Sequence, residues 1–373
     1  MKKRYSILFF TFLLILSSCS NDNERNENFS IEAFQYLGLK DLANVRKAEE
    51  AVFRDFGVPY RPTMQILDNY IYITTLTGVY RKNISTINNT DWELFAFKDL
   101  PILQFIKNGN NILAISACAD ERAFLYSSDN GETYQSITPS SFILKENEYK
   151  VIPYSIAQNL KNPNSILALV EPIGVVKSIN FGQTWTVLSK QYGGYQNWFL
   201  GFNANDTTNV YYTGESMMLA SFMYSSPDNG ESWKLIESVD NNCIHHIVFH
   251  PTYSNVLLYS GEQMIKKSID KGKIWKTVLT GGLYFYKTIF DKNNPSVLYT
   301  SGVNRASHED HKFMIYKSSN GGDSWDVFFQ TDLSGIGGVI DFELYNNRLY
   351  LYTYTDGIYM LDVSGNSGNN TSI

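Results

Sequence analysis

The chain has 373 residues, of which 37 are acidic and 31 are basic, and its formal net charge is −6. This excess of acidic residues argues against a protein that binds the phosphate backbone of nucleic acids, because such proteins need a basic surface. Aromatic residues make up 15% of the chain, with 26 Tyr and 23 Phe, a composition typical of many short β-strands with large packed faces.

The first 19 residues have the pattern of an export signal. Residues 1–4 are basic, and residues 7–16 are apolar but too few to span a bilayer. The sequence Leu-Ser-Ser-Cys that ends at Cys19 resembles the lipobox of bacterial lipoproteins. The resemblance implies a signal peptide at residues 1–18, lipidation of Cys19 and a stable membrane anchor. The alternative is an ordinary secretory signal that ends near a cysteine.

Residues 19–29 are predicted to form a flexible tether, because the run after Cys19 is polar and cannot build a core. Ser20 does not match the aspartate that retains lipoproteins in the inner membrane. The acidic stretch that follows resembles the surface-export signal of Bacteroidota lipoproteins. Together these features predict an outer-membrane lipoprotein, with exposure at the cell surface left open.

Residues 30–365 are predicted to form one domain, since no linker interrupts its repeats. An eight-residue motif, S-x-D-x-G-x-[ST]-W, begins at Ser127, Ser226 and Ser268, and with Asn in place of Asp at Ser178 and Ser318. We call it the box motif. Its key positions are Asp129, Gly131, Asn180, Gly182, Asp228, Gly230, Asp270, Gly272, Asn320 and Gly322. An eroded sixth copy begins at Ser85, with Asn89 in place of the glycine and a closing Trp92.

The box motif has the chemistry of a hairpin turn. Its carboxylate or amide accepts backbone N–H groups, its glycine adopts positive φ, and its tryptophan packs inward as the next strand begins. β-Rich runs lie on both sides of each copy, which predicts the third and fourth strands of a four-stranded unit. The motif resembles the Asp-box, or BNR, repeat of sialidases, sortilin-type receptors, xyloglucan-degrading hydrolases and the photosystem II assembly factor. This resemblance implies an all-β fold, a β-propeller of four-stranded blades.

The repeat count predicts seven blades. Residues 338–342, 348–352 and 357–361 form three strands of a seventh unit that lacks its fourth strand. Because an open sheet edge exposes unpaired backbone groups, we expect an N-terminal strand between residues 34 and 60 to close the ring. Part of residues 31–56 has helical spacing and is predicted to form a short helix before that strand. The tail at residues 366–373 is rich in Gly, Asn and Ser and is predicted to be disordered.

Ligand-binding residues are expected on the loop face opposite the box motifs. Aromatic rings stack on sugar C–H surfaces, and acids accept hydrogen bonds from hydroxyl groups, so mixed aromatic and charged loops suit a glycan. The ligand-face candidates are Tyr192, Tyr195, Trp198, Arg305, His308 and His311. The alternative reading of these residues is a solvated loop rim. His245 and His246 lie on one predicted strand, where alternation places them on opposite faces in structural roles.

Two classes of function remain open. The first is a non-catalytic module that binds a glycan or an envelope protein. The second is a glycoside hydrolase that uses a carboxylate pair from Glu171, Glu215 and Glu262. A sialidase is disfavoured, because that family clamps its substrate with three arginines and no arginine lies between Arg122 and Arg305. The sequence predicts no cofactor, no metal site and no disulfide between Cys118 and Cys243.

Overall fold

The computed structural model describes residues 34–45, 47–48, 61–87, 89–116, 124–137, 152–171, 173–189, 196–215, 220–303, 313–331 and 337–364. Within these ranges the chain forms 26 β-strands, and every hydrogen-bonded pair of strands is antiparallel. The chain is therefore all-β, as the sequence predicts.

Consecutive strands pair with one another in most of the sheets. The first sheet contains β2 (Met64–Leu67), β3 (Tyr70–Thr75), β4 (Gly78–Asn83) and β5 (Glu93–Ala96). The second contains β6 (Ile102–Asn108), β7 (Asn111–Ser116), β8 (Phe124–Ser127) and β9 (Gln135–Ile137). The third contains β10 (Ile152–Asn159), β11 (Asn162–Glu171), β12 (Gly174–Ser178) and β13 (Thr186–Ser189). The fourth contains β14 (Gln196–Asn203), β15 (Asp206–Glu215), β16 (Ala220–Ser226) and β17 (Lys234–Asp240).

The fifth sheet has six strands, which differs from the predicted seven separate four-stranded sheets. It contains β18 (Ile244–Phe249), β19 (Leu257–Ser268), β20 (Lys276–Phe290), β21 (Leu298–Val303), β22 (Phe313–Ser318) and β23 (Asp326–Thr331). The predicted count of seven blades is wrong, because the described strands form six sheets. The physical reason is β20, a continuous strand of 15 residues whose first half pairs with β19 and whose second half pairs with β21.

The sixth sheet joins the two ends of the described chain. Its strand order is β1 (Phe34–Gly38), β26 (Ile358–Asp362), β25 (Arg348–Thr353) and β24 (Val339–Tyr345). β1 lies within the segment where the sequence predicts a closing strand, and it pairs with β26. The expected order of helix and strand is wrong, because helical backbone at residues 45 and 47–48 follows β1. Buried Val45 and Ala48 then pack against the core beneath it.

The box motifs form compact turns between the third and fourth strands of a repeat. In the copy at Ser127, the Asp129 carboxylate accepts hydrogen bonds from Ser127 Oγ at 2.7 Å and from the Thr133 amide at 3.0 Å. The Gly131 amide donates to Ser127 Oγ at 2.8 Å. The copies at Ser178, Ser226, Ser268 and Ser318 repeat these bonds. The turn is thus built within eight residues, which explains its clear signal in the sequence.

The glycine of the box motif also allows the turn to pack against the preceding sheet. Gly182 has φ +84°, and a Cβ atom there would lie 2.6 Å from Leu113 Cδ1 in β7. Gly109, in the turn between β6 and β7, has φ +60° with no atom within 4 Å of such a Cβ. Of these two positions, only Gly182 therefore requires glycine for space as well as for backbone conformation.

Replacing Gly182 with alanine is expected to lower the free energy of unfolding by about 2–4 kcal/mol, since left-handed backbone strain adds to overpacking. Gly109→Ala is the matched control and should lose only about 1–2 kcal/mol, the cost of the backbone strain alone. Urea unfolding followed by tryptophan fluorescence measures both values. Equal losses in the two variants would contradict the packing role of Gly182.

Acid should weaken the box motifs that contain aspartate. Hydrogen bonds from the Thr133 side chain and amide lower the pKa of Asp129 to about 2, and hydrogen bonds from the following turn likewise lower the pKa of Asp228 and Asp270. A carboxylate with a lowered pKa in the folded state stabilises the fold above its ordinary pKa, and this contribution is lost as pH falls through the lowered value. The stabilisation should therefore disappear between about pH 4 and pH 2.

The matched variant replaces all three aspartates with asparagine. The native Asn180 already accepts the Thr184 amide at 2.9 Å and donates to Thr184 Oγ1 at 2.9 Å, so asparagine preserves the turn without a titrating group. We expect the melting temperature of the native chain to fall more steeply from pH 5 to pH 2 than that of the variant carrying D129N, D228N and D270N. Melting temperatures are measured by differential scanning fluorimetry. An equal decrease with pH in the native chain and the variant would rule out these aspartates as a source of acid sensitivity.

Candidate functional site

The first strands of successive repeats surround a cavity of about 320 Å³. Residues from β2, β6, β10, β14, β18, β24 and the second half of β20 line it, and we call it the central cavity. The end of the sheets where these first strands begin is the mouth end, and the opposite end, which carries the box motifs, is the box end. The main polar and aromatic lining residues are Arg61, Gln65, Gln104, Tyr154, Ser155, Phe199, His245, His246, Tyr286, Lys287 and Asp341.

A recurring β-bulge near the start of the first strands shapes the cavity. The pairing register shifts at this point in six of these strands, next to Leu103, Tyr154, Trp198, His245, Tyr286 and Ile340. A bulge inserts one extra residue and re-aims its side chain. Five of the six bulge residues line the cavity, and the sixth, Trp198, is described only by its backbone in β14.

The bulge overturns the predicted placement of the two adjacent histidines. Strict alternation would send the side chains of His245 and His246 to opposite faces, but both line the central cavity. The His246 ring packs edge-on against Phe199 with 5.0 Å between ring centroids. Burial, with a smaller contribution from the Lys287 charge, lowers the pKa of His246 to about 3. The His246 side chain is therefore neutral at physiological pH.

Arg61 and Tyr286 form the cationic and aromatic part of the mouth. The Arg61 guanidinium lies over the Tyr286 ring, with 4.9 Å from Cζ to the ring centroid. Arg61 Nη2 donates to His245 Nδ1 at 3.2 Å. Because arginine only donates, His245 Nδ1 accepts this bond and carries no proton. The His245 and Tyr286 rings also contact each other, with centroids 4.8 Å apart.

An ion cluster occupies another part of the cavity wall. Lys287 Nζ lies 2.6 Å from Asp341 Oδ1 and 2.8 Å from Glu343 Oε1. The Met64 amide donates to Asp341 Oδ2 at 2.8 Å, which connects β2 to β24. Burial opposes the charge of Lys287, but the two carboxylates outweigh it and raise the pKa of the amine above its ordinary value. One amine thus pairs with two carboxylates, and burial keeps the pKa of Asp341 above its ordinary value despite the Lys287 charge.

Side-chain amides join neighbouring first strands around the cavity. Gln104 Nε2 donates to the Ile156 carbonyl at 2.9 Å, and Gln104 Oε1 accepts the Ile156 amide at 2.9 Å. Gln65 Nε2 donates to the Phe105 carbonyl at 3.3 Å. These bonds cross from one sheet to the next, so they hold the cavity wall in a fixed shape.

The three candidate carboxylates lie at the mouth end, outside the cavity lining. Glu171 pairs with Ile152 at the start of β10, and Glu215 pairs with Gln196 at the start of β14. Glu262 follows Gly261, which pairs with Ile244 at the start of β18. In the same sheets the box serines pair near the other ends of the second strands, so these glutamates lie opposite the box motifs.

Cys243 lies beside Glu262, whose amide donates to the Cys243 carbonyl at 3.1 Å. Burial raises the pKa of the Cys243 thiol, and the nearby charges of Glu262 and Glu215 raise it further, while Arg61 opposes them. The Cys243 thiol is therefore protonated at physiological pH. It is a free, buried cysteine, which fits the prediction of a small apolar side chain.

Several predicted positions lie outside the described residues. They are Cys19, Cys118, Tyr192, Tyr195, Arg305, His308, His311, the predicted signal peptide and tether, and the predicted tail. Among the described residues, no helix has the length and apolar character needed to cross a membrane. The sequence interpretation did not place Arg61, Tyr154 and Tyr286 in the candidate site, although all three line the central cavity. The signal that would have found the two tyrosines is an aromatic residue near the start of a first strand.

No family model matches the chain, and no curated protein is significantly similar to it. Solved structures do resemble it. A GH74 xyloglucanase from Xanthomonas campestris has a TM-score of 0.61 and 15% identity over 81% of this chain and 51% of its own. YCF48 from Cyanidioschyzon merolae has a TM-score of 0.58 and 13% identity over 83% of this chain and 98% of its own. A YCF48 structure bound to a D1 peptide has a TM-score of 0.56 and 14% identity, covering 82% and 95%.

The chain spans about half the length of the xyloglucanase that it resembles. At these identities the likeness shows the fold, and the chain is a β-propeller.

Proposed function

We propose that this chain is a non-catalytic binding module, anchored to the bacterial outer membrane by a lipid on Cys19, that binds its ligand at the mouth of the central cavity. The ligand is a short segment of a glycan or of an envelope protein. A cavity of about 320 Å³ suits one or two sugar units or amino-acid side chains. Tyr154 and Tyr286 supply ring faces, and Arg61 supplies hydrogen-bond donors beside them.

The observation that carries a binding role over a catalytic one is the internal pairing of the cavity charges. Asp341 accepts hydrogen bonds from Lys287 and from the amides of Met64 and Phe342. A general acid or nucleophile needs a carboxylate oriented towards the substrate. Asp341 is instead occupied in holding β2, β20 and β24 together, which favours a structural role for the only carboxylate in the described cavity lining.

We further propose that β1 closes the ring. The pairing of β1 with β26 supplies a fourth strand to the last repeat. The hydrogen bond between Met64 and Asp341 joins the first and last repeats. These two contacts support β1 as the strand that closes the ring.

Glycoside hydrolysis is the second candidate function. It is favoured by the shared position of Glu171, Glu215 and Glu262 at the mouth end of neighbouring sheets. Glycosidases work with two carboxylates that lie about 5–10 Å apart. The GH74 xyloglucanase also belongs to the solved structures with this fold. Turnover that is abolished in both Glu215→Gln and Glu262→Gln would establish this second function.

The test is a screen of the full chain, purified in mild detergent, against a glycan array and immobilised envelope proteins. Any hit is then titrated by calorimetry and assayed for released sugar. Tyr286→Ala should weaken binding at least about tenfold, equivalent to ~1.4 kcal/mol, because it removes the ring and the support of Arg61. Tyr253→Ala, which changes an exposed tyrosine at the box end, is the matched control. Equal affinity of the two variants for the ligand would show that the ligand does not bind at the cavity mouth.

A further inference from the structure

The most exposed large apolar side chains among the described residues all lie at the box end. Five of them have 59–75% of their surface exposed: Leu160, Ile179, Tyr253, Ile269 and Ile274. Leu160 follows β10 in the turn to β11, and Tyr253 lies in the turn between β18 and β19. The three isoleucines belong to the box motifs at Ser178 and Ser268. These five side chains project from turns of the third and fifth sheets at this end, and we call them together the apolar box surface.

Hydrogen bonds hold the turns that carry this surface in place. Asn159 Nδ2 donates to the Thr207 carbonyl at 3.4 Å, connecting the third sheet to the fourth. Asn205 Nδ2 donates to the His250 carbonyl at 2.6 Å, connecting the fourth sheet to the fifth. Asn255 Nδ2 donates to the Ile269 carbonyl at 2.7 Å. The apolar side chains therefore project from turns that are fixed relative to one another.

The N-terminal segment enters the fold at the same end. Phe34 pairs with Leu361, near the end of β26, whereas Gly38 pairs with Ile358 at its start. The start of β26 lies at the mouth end, since Ile358 pairs with Tyr352, near the end of β25. The chain before Phe34 therefore leaves from the box end. The 15 residue steps from Cys19 to Phe34 span about 50 Å when extended, long enough to reach any part of this face.

The polar neighbours of the apolar box surface suit a lipid headgroup layer. Lys161 and Lys273 are exposed and directly adjoin Leu160 and Ile274 in the chain. Lysines beside buried apolar groups extend to lipid phosphates at a membrane interface. The box aspartates nearby stay ionised, because hydrogen bonds within their own turns lower their pKa. The surface thus combines insertable side chains with flanking amines.

We propose that the apolar box surface docks on the membrane that carries the Cys19 anchor, so that the cavity mouth faces away from that membrane. This inference rests on the lipid anchor of the proposed function. Docking inserts Ile179, Ile269 and Ile274 among the lipid headgroups and acyl boundary. The tether then limits the distance of the propeller from the membrane, and the apolar box surface fixes the orientation of the propeller relative to that membrane. A ligand therefore reaches the cavity from the side of the aqueous compartment.

The experiment uses the full lipidated chain reconstituted in phosphatidylcholine vesicles that carry a nitroxide on the acyl chain. An environment-sensitive fluorophore is attached to Ile274→Cys, and in a second variant to Ile179→Cys. Lys40→Cys is the matched control, because Lys40 is exposed at the mouth end, with 66% of its side chain accessible. The chain without an added cysteine corrects for labelling of Cys118 and Cys243. Vesicle flotation is measured in parallel for the native chain and for Cys19→Ala.

We expect nitroxide quenching at positions 274 and 179 to exceed that at position 40 at least threefold. Quenching no greater at 274 and 179 than at 40, in a chain that floats with the vesicles, would overturn the docking while the anchor stands. Loss of flotation by Cys19→Ala supports the anchor, and failure of the native chain to float would instead refute it. The fluorophore at position 274 could instead report an apolar environment that varies with the protein-to-lipid ratio and is not quenched by the nitroxide. That result would assign this surface to contact with a second copy of the chain and would overturn membrane docking.

Discussion

Lys287→Met is expected to lower the free energy of unfolding by about 3–5 kcal/mol, because it leaves the Asp341 carboxylate buried without its cation. Only 14% of the Lys287 side chain and 11% of the Asp341 side chain are exposed. The amine lies within 3 Å of both Asp341 and Glu343. Its loss therefore removes two charge-assisted hydrogen bonds at once.

The compensating variant combines Lys287→Met with Asp341→Asn and Glu343→Gln. The amide oxygen of an asparagine can still accept the Met64 amide, and no uncompensated charge remains in the cluster. We expect this triple variant to recover at least half of the lost stability in a urea titration. A single Lys287→Met change that costs less than 1 kcal/mol would show that solvent or movement compensates the carboxylates, contrary to the burial described here.

The raised pKa of Lys287 gives the same interaction a pH dependence. A group with a raised pKa in the folded state stabilises the fold below its ordinary pKa, and the contribution is lost as pH rises through the raised value. The native chain should therefore keep this stabilisation at neutral pH and lose it only in strong alkali. The triple variant should lack that alkaline loss.

Leu37→Asp should destabilise the fold by more than 3 kcal/mol and cause aggregation. Leu37 is completely buried in β1, so the change places an unpaired charge in the core. Its carbonyl also accepts the Trp92 indole N–H at 2.8 Å, which connects β1 to the first repeat. Displacement of β1 would expose the unpaired edge of β26, and exposed edges promote association between chains.

Gln35→Asp is the matched control for this change. It introduces the same residue two positions earlier in β1, where the side chain is only partly buried. Its effect should stay below about 1 kcal/mol, as for most partly exposed substitutions. Size-exclusion chromatography and thermal melting of the two variants provide the comparison. Similar melting temperatures and elution volumes would show that β1 contributes little, and would weaken the proposal that it closes the ring.

The proposed module separates attachment and recognition between two ends of one ring. The box end carries the apolar box surface and the exit towards Cys19, while the mouth end presents Arg61, Tyr154 and Tyr286. The known structures with this fold include a xyloglucanase and a YCF48 bound to a D1 peptide, so the same fold accommodates glycan and peptide ligands. Under the proposed function, the mouth residues and not the repeats would therefore determine which ligand binds.

The box turns could be read from the sequence because their physics is local. Ser127, Asp129, Gly131 and Thr133 satisfy one another within a single eight-residue segment, so their residue types alone predict the turn. The strands of the last repeat were likewise predicted within a few residues, since each is a short β-rich run. The regular spacing of these local units was sufficient to predict a β-propeller.

The candidate binding site was decided only by the tertiary structure. Arg61, His245 and Tyr286 are far apart in the chain, and they meet because separate repeats bring their first strands to one axis. Strict alternation predicts that the side chains of His245 and His246 lie on opposite faces of the strand. The recurring bulge places both of them on the face that lines the cavity. The continuity of β20 across two repeats depends on pairing with both β19 and β21, so the number of separate sheets was also beyond local reasoning. Local hydrogen bonds fix the turns from the sequence, whereas packing between distant strands determines the cavity and its chemistry.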